Sequence, residues 1–205
     1  MTLDEMIQLV RAVSRSARRA LVIADVPFGS RQASPEQCFH TAVRFMKEAG
    51  AHAVQLEGGE EMVPQVELLT RSGIPVTAHI GFTPQHEHGL GGYRVQGRGT
   101  DAQRVIASAK ALEAAGAFAL LLEMVPGELA AEITQSVAIP TVGIGAGAGC
   151  DAQVLVWQDM TGLRSERLPR FVKQYADLRG GCSALPKTSQ PTWQATSSWG
   201  PEHTF

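Results

Sequence analysis

Aromatic residues, long hydrophobic runs and a surplus of either charge are all scarce in this chain of 205 residues. Lys and Arg number 18 and Asp and Glu number 20, so the formal net charge is only -2. A balance so close to neutral does not favour binding to nucleic acid or to an anionic membrane. No apolar run approaches the ~20 residues that cross a bilayer. We therefore expect a protein with neither nucleic-acid nor membrane partners.

Cysteine is also scarce. Cys38, Cys150 and Cys182 are odd in number and lie far apart. Their spacing matches neither a disulfide framework nor a metal-binding motif. This pattern is typical of a reducing compartment, and we expect a cytoplasmic protein.

Length and composition favour one main domain. With 205 residues, of which 44% are hydrophobic, the chain is long enough for a sizeable core. The segment 180–205 is rich in Ser, Thr, Pro and Gly and shows no hydrophobic period. We therefore predict a catalytic domain over 1–179 and an irregular C-terminal tail over 180–205.

Three short apolar runs each end on a carboxylate, at Asp25, Glu57 and Glu123. A run of this length between helical patterns is typical of a buried parallel strand. The core does not need an acid at the end of such a strand. Because parallel strands end at one edge of their sheet, the three acids should meet where α/β folds bind ligands. The sequence thus predicts a carboxylate-lined site suited to a hard divalent cation and a general base.

Strands and helices alternate along the chain, which indicates parallel strands joined by crossover helices. Six such strands fit either an open doubly wound sheet or most of a (βα)₈ barrel. The acids favour the barrel, in which every strand end reaches one mouth; about two βα units would then precede Met1. The predicted strands are 21–25, 53–57, 74–80, 118–123, 139–145 and 154–156. The predicted helices follow Ser34, Gly59, Thr100 and Pro126, with a last one over 168–178.

Each candidate residue has an ordinary structural alternative. Asp25 could cap a helix, but Ser34 already caps the helix that follows. Glu57 could lie in a solvated helix N-terminus, where acids suit the helix dipole. Glu123 follows three leucines, and a half-buried carboxylate there is suited to accept a proton. His79 ends an apolar strand and is either a core histidine or a ligand.

The Gly-rich segment 81–99 is long for a loop and follows a strand end, so we predict a flap over the site.

Several strings in this sequence resemble those of one enzyme family, ketopantoate hydroxymethyltransferase. The similarity runs in register from about Thr2 to Leu178 and returns at the C-terminus. The strings that carry it are Asp25-Val26-Pro27-Phe28-Gly29-Ser30, Leu56-Glu57-Gly58-Gly59, His79-Ile80-Gly81-Phe82-Thr83-Pro84-Gln85, Gly91-Gly92-Tyr93-Arg94-Val95-Gln96-Gly97, Leu122-Glu123-Met124-Val125-Pro126 and Ile139-Pro140-Thr141-Val142-Gly143-Ile144-Gly145-Ala146-Gly147.

The resemblance implies a (βα)₈ TIM barrel of the phosphoenolpyruvate/pyruvate superfamily. It also implies transfer of a hydroxymethyl group from 5,10-methylenetetrahydrofolate to 3-methyl-2-oxobutanoate, which gives 2-dehydropantoate in pantothenate biosynthesis. The expected partners are thus a small 2-oxo acid, the folate co-substrate and Mg²⁺, in a homo-oligomer that is commonly a decamer in the family.

The resemblance also implies roles for individual residues. Asp25 would bind the metal and the 2-oxo acid, and Glu57 would belong to the metal site. Glu123 would accept the proton whose loss gives the enolate. Gln55 stands where the family has a lysine that pairs with the substrate carboxylate, and His79 is a further candidate for substrate binding.

Two alternatives to this activity stay open from the sequence. The chain could be an impaired or inactive shortened homologue that acts only as a subunit of an oligomer. It could also be another metal-dependent carbon–carbon lyase of the same superfamily that acts on a different 2-oxo acid. The three retained acids favour an enzyme, whereas Gln55 favours an impaired homologue.

Overall fold

Six short strands form one all-parallel sheet, and their spatial order follows their order along the chain. This is how consecutive strands are arranged in a (βα)₈ barrel, so the predicted fold class is confirmed. The computed structural model describes residues 1–165 and 168–183. Its strands are β1 (Ile23–Asp25), β2 (Ala53–Glu57), β3 (Val76–Gly81), β4 (Ala119–Glu123), β5 (Thr141–Ile144) and β6 (Ala152–Gln153).

Helices lie between consecutive strands from β1 to β5, as the sequence pattern predicts. Three 3₁₀ turns, at Glu60–Met62, Pro84–His86 and Gly99–Asp101, lead into the helices that follow them. The helices are α1 (Leu3–Ser16), α2 (Pro35–Arg44), α3 (Val63–Arg71), α4 (Glu87–Leu90), α5 (Ala102–Ala114), α6 (Gly127–Ser136) and α7 (Trp157–Met160).

Local capping explains where the first two helices begin. Thr2 and Glu5 form a capping box at the start of α1, in which each side chain accepts a hydrogen bond from the other residue's backbone N–H. Ser34 accepts a hydrogen bond from the backbone N–H of Gln37 at the start of α2, and Pro35 occupies the first helical position. The cap at Ser34 confirms the predicted start of α2.

The outward face of the sheet forms the core against the helices. In β1 to β4, the strand residues on this face are apolar and at most 3% exposed. Full burial of one leucine contributes roughly 1.5–3 kcal/mol, so this layer is the main source of stability for the sheet. The residues are Ala24, Val54, Leu56, Val76, Ala78, Ile80, Leu120 and Leu122.

The chain divides into two units. The first is Met1–Val154, which holds the six strands, and the second starts at Leu155. Within the second unit, the buried carboxylate of Asp159 pairs with the guanidinium of Arg164 at 3.3 Å. None of the helices in the described residues is both long and apolar enough to cross a membrane. The predicted boundary at 179/180 stays a prediction, and residues 184–205 of the predicted tail lie outside the described residues.

Three local predictions are wrong. The sixth strand is Ala152–Gln153 rather than 154–156. Residues 168–177 contain no helix, because the backbone N–H of Tyr175 donates to Met160 O rather than to a carbonyl one turn earlier. The helix predicted to follow Thr100 starts at Ala102, after the 3₁₀ turn, and the side chain of Asp101 makes no capping bond there but accepts a hydrogen bond from the backbone N–H of Gly97 at 2.8 Å.

The close approach of β3 and β4 at the carboxyl edge requires glycine at position 81. Gly81 has φ +93°, and a Cβ there would collide with the carbonyl oxygen of Glu123. Gly73 has a similar φ of +81°, but nothing lies near the position of its missing Cβ. Alanine substitution at the two positions therefore distinguishes the energetic cost of backbone strain alone from the cost of strain together with steric overlap.

We predict that Gly81→Ala destabilises the fold more than Gly73→Ala does. Left-handed strain alone costs about 1–2 kcal/mol, which is the expected loss of unfolding free energy for Gly73→Ala. Overpacking against Glu123 adds about 1–3 kcal/mol for Gly81→Ala. Urea denaturation of the two variants measures the difference, and equal losses would show that the approach of β3 to β4 is not tight.

Candidate active site

The strand register places all five predicted site residues on one face of the sheet. Asp25 pairs with Gln55, and Glu57 pairs with His79 in the neighbouring strand. Side chains two residues apart in a strand share a face, and so do paired residues of parallel neighbours. Glu123 lies two residues after the strand partner of His79, so it joins the same face. The face opposite the apolar core is therefore lined by the residues that sequence reasoning selected.

His79 lies between two of the acids. Its Nε2 is 3.2 Å from Glu123 Oε2, and its Nδ1 is 3.9 Å from Glu57 Oε1. The ring is 2% exposed, yet within the described residues neither ring nitrogen has a partner aligned as a hydrogen bond requires. A buried imidazole with both nitrogens directed among carboxylates is positioned for interaction with a ligand or a proton, which a histidine of the apolar core would not be.

Burial governs the protonation of two of the carboxylates. The pKa of Glu57 is raised to about 7, chiefly by desolvation and also by the negative charge of Asp25, while His79, the backbone N–H of Gln85 and Arg31 oppose the shift. Desolvation also raises the pKa of Asp25, again against the influence of His79 and Arg31. Both acids are thus held in an environment that disfavours their charged form until a positive group compensates.

Asp25 and Glu57 fit part of a site for a hard cation. Asp25 Oδ1 is buried and has no hydrogen-bond partner within the described residues. A bound cation would satisfy this oxygen and offset the desolvation of both carboxylates. Across residues 1–165 and 168–183, however, no three His, Cys, Asp or Glu side chains are grouped closely enough to hold a metal ion alone. Mg²⁺ commonly uses one or two carboxylates and completes its shell with water and substrate oxygens.

A buried arginine that sequence reasoning missed lies beside these acids. The Arg31 guanidinium is fully buried and donates to the carbonyl oxygens of Val26, at 2.9 Å, and Glu57, at 3.0 Å. It also donates to the side-chain oxygen of Gln85. The backbone N–H of Gln85 in turn donates to Glu57 Oε2 at 3.0 Å. Arg31 lies in the loop after β1, where the sequence contains no period that could reveal its burial.

The backbone directly after Glu123 is in an unusual conformation. Met124 has φ +47°, which makes it the one residue other than glycine with positive φ in the described part of the chain. Its N–H donates to Ile144 O at 2.9 Å, and its carbonyl accepts from the N–H of Gln96 at 3.0 Å. Strain of this kind costs on the order of 1–3 kcal/mol and clusters at functional sites. Here it fixes the direction in which the chain leaves Glu123.

A cavity of about 290 Å³ adjoins the acidic face. Its lining includes Gly81 at the end of β3, Glu61, Ser108 and the ring of His86. His86 Nδ1 is also 3.9 Å from Glu57 Oε2, so this ring borders both the cavity and the acids. The segment 81–99, predicted as a flap, contributes further residues to the lining and contains the short helix α4; its movement stays a prediction.

Comparisons with known structures agree with the fold. A putative lyase/mutase from Burkholderia cenocepacia superposes with a TM-score of 0.55 at 18% identity, covering 93% of this chain and 67% of that one. A phosphonopyruvate hydrolase, solved with oxalate and Mg²⁺, superposes with a TM-score of 0.51 at 18% identity over 70% of this chain and 52% of that one. At this level of identity the likeness concerns the fold.

Comparisons of sequence are closer. The chain is 68% identical over 204 residues to the 3-methyl-2-oxobutanoate hydroxymethyltransferase of Nocardioides sp., an alignment that covers all of this chain and 69% of the relative. It is 58% identical over 204 residues to the enzyme of the same name from Saccharopolyspora erythraea, covering 70% of that relative. The sequence model of the family described as ketopantoate hydroxymethyltransferase matches residues 1–186. The chain belongs to the ketopantoate hydroxymethyltransferase family.

Proposed function

We propose that this chain transfers a hydroxymethyl group from 5,10-methylenetetrahydrofolate to 3-methyl-2-oxobutanoate and so forms 2-dehydropantoate. The observation that carries the proposal is the cluster of Asp25, Glu57, His79 and Glu123 on one face at the carboxyl edge of the sheet, in a member of this family. The reaction needs a group that takes a proton from C3 of the oxo acid and a site that accommodates negative charge. The cluster offers both.

Asp25 and Glu57 are the proposed protein ligands of Mg²⁺. A bound Mg²⁺ would polarise the keto group and acidify the adjacent C–H bond. Gln55 is the strand partner of Asp25 and shares its face, so we assign to its amide a neutral contact with the substrate carboxylate. A neutral hydrogen bond contributes about 1 kcal/mol, and a charge-assisted one roughly 1.5–3 kcal/mol.

Glu123 is the proposed proton acceptor. Its side chain is 12% exposed, which leaves it open to a substrate while excluding most water. His79 Nε2 lies 3.2 Å from Glu123 Oε2. At this distance the imidazole restricts the position of the carboxylate and can pass a proton to it or take one from it.

The cavity beside the acids is the proposed place for the heteroaromatic head of the folate co-substrate. Its volume of about 290 Å³ suits a bicyclic ring, and Glu61 in its lining offers a carboxylate. A pterin ring presents adjacent N–H donors, for which a carboxylate is the complementary acceptor. His86 lines this cavity and also lies beside Glu57, so the folate and the oxo acid would occupy neighbouring sites.

We predict that Glu61→Gln weakens the binding of a reduced folate by roughly 2- to 30-fold, since a neutral hydrogen bond replaces a charge-assisted one. Glu60→Gln is the matched control, because Glu60 is exposed in the same 3₁₀ turn and does not line the cavity. Calorimetric titration with 5-formyltetrahydrofolate, a stable analogue, compares the two. Equal affinities of the two variants would place the co-substrate elsewhere.

The experiment that tests the proposal is direct product detection. The purified chain is incubated with 3-methyl-2-oxobutanoate, 5,10-methylenetetrahydrofolate and MgCl₂, and 2-dehydropantoate is measured by mass spectrometry. We expect product that depends on all three additions. No product, but exchange of the C3 proton, would favour another enzyme acting on 2-oxo acids, whereas neither product nor exchange would favour an impaired homologue.

We further propose that the chain acts in the cytoplasm as part of a homo-oligomer. The proposal is supported by the family resemblance and by the cysteines of the chain, each of which is free in the described residues. Burial raises the pKa of the Cys38 thiol to about 12, so the reactive thiolate form of this cysteine is disfavoured. Size determination by light scattering tests the oligomer.

A further inference from the structure

Arg31 is the one Lys or Arg side chain that is fully buried in the described residues. Burial of a guanidinium disfavours its charge, and desolvation lowers the pKa of Arg31 accordingly. A cost of this kind persists only where the charge is compensated by neighbours. The neighbours here are the carbonyl oxygens of Val26 and Glu57 and the side chain of Gln85.

No carboxylate in the described residues forms an ion pair with Arg31 within 4 Å. Its three accepting groups are neutral, so its positive charge is not cancelled locally. Among the acidic groups that favour its charged form, Glu57 and Asp25, both on the acidic face, act most strongly, followed by Cys38 and Glu61. Arg31 Nε is also buried without a hydrogen-bond partner in the part of the chain that the structure describes.

We propose that Arg31 is the fixed counter-charge of the acidic face and acts on ligand binding through space rather than by contact. The inference rests on the proposed function, because it concerns how an anionic 2-oxo acid enters a site lined by Asp25, Glu57 and Glu123. Gln55, on the same face, carries no charge to attract that anion. The Arg31 guanidinium, held by the carbonyl oxygens of Val26 and Glu57, supplies positive potential to this face.

A counter-charge has an electrostatic signature that a purely structural role lacks. Loss of a positive charge weakens the binding of an anion and strengthens the binding of a cation. Loss of a structural support weakens both. Opposite changes in the two affinities therefore identify the charge itself as the cause.

The test is calorimetric titration of wild type and Arg31→Gln, first with MgCl₂ alone and then with 3-methyl-2-oxobutanoate at saturating Mg²⁺. We expect Mg²⁺ to bind about 3- to 30-fold more tightly to the variant and the oxo acid to bind more weakly by a similar factor. Arg44→Gln is the matched control, since Arg44 is half-buried on α2 and pairs with Asp4 and Glu48 away from the site. It should change neither affinity.

Two further variants keep the test decisive if Arg31→Gln does not fold. Gln85→Glu is nearly isosteric and neutralises the Arg31 charge in place, so it should shift both affinities in the same directions as Arg31→Gln. Arg31→Lys keeps the charge and should bring both affinities back towards wild type. A parallel loss of both affinities in Arg31→Gln or Gln85→Glu would overturn the inference and leave the proposed function intact. Failure of wild type to bind either ligand would overturn both.

Discussion

Glu123→Gln is expected to slow the exchange of the C3 proton of 3-methyl-2-oxobutanoate by ~10²–10⁴, the usual contribution of a positioned proton acceptor. The substitution preserves shape but removes the group that accepts the proton. Exchange in D₂O is followed by NMR and needs no folate, so it isolates the proton-transfer step from the transfer of the one-carbon unit.

The matched control for this prediction is Glu128→Gln. Glu128 lies in the first turn of α6, five residues further on, and is exposed. The Glu128→Gln variant should exchange the C3 proton of the oxo acid at the wild-type rate. Ketoacid affinity in Glu123→Gln should change far less than the exchange rate, because the lost interaction belongs to the reaction and not to binding. An unchanged exchange rate in Glu123→Gln would assign the proton to another group, with His79 the nearest candidate.

Asp25→Asn is expected to reduce the affinity for the oxo acid in the presence of Mg²⁺ by at least about 100-fold. Groups that merely support a metal ligand are worth ~10–100-fold in affinity, and a direct ligand is worth no less. The fold should not suffer, because the carboxylate is buried with an unpartnered oxygen and burial raises the pKa of Asp25. We therefore expect an unfolding free energy equal to or above that of wild type.

Calorimetric titration measures the affinity of Asp25→Asn for the oxo acid, and urea denaturation measures its unfolding free energy. Asp4→Asn, at an exposed acid in α1, is the control for loss of one negative charge. It should leave ligand affinity unchanged. Loss of stability in Asp25→Asn together with unchanged affinity would reverse the assignment and make Asp25 a structural residue.

The sequence predicts the strands and their terminal acids well because both depend on local patterns. Apolar runs between helical segments give the strands, and an acid at the end of each run conflicts with burial, so Asp25, Glu57 and Glu123 stand out. Register adds what local patterns lack: it places these acids on the same face as His79. Gln55 and Glu57 are two residues apart in β2, a spacing that puts both side chains on one face of the strand and agrees with that result.

Arg31 shows what sequence patterns cannot supply. An arginine in a polar loop is ordinarily solvated. Its burial becomes favourable through the carbonyl oxygens of Val26 and Glu57 and the side chain of Gln85, which come from separate parts of the chain. The conformation of Met124 is likewise set by hydrogen bonds to Ile144 and Gln96 from other parts of the chain. Predictions fail for the same reason at 168–177, where contacts with residues near 160 replace a helix.

We propose above all that this chain carries a site that removes the C3 proton of a 2-oxo acid. The most direct test is the rate of deuterium incorporation at C3 of 3-methyl-2-oxobutanoate with wild-type protein, with MgCl₂ and with EDTA in its place, and without folate. We predict incorporation well above the protein-free rate that requires Mg²⁺ and falls to background with EDTA. Incorporation at the protein-free rate under both conditions would contradict the claim.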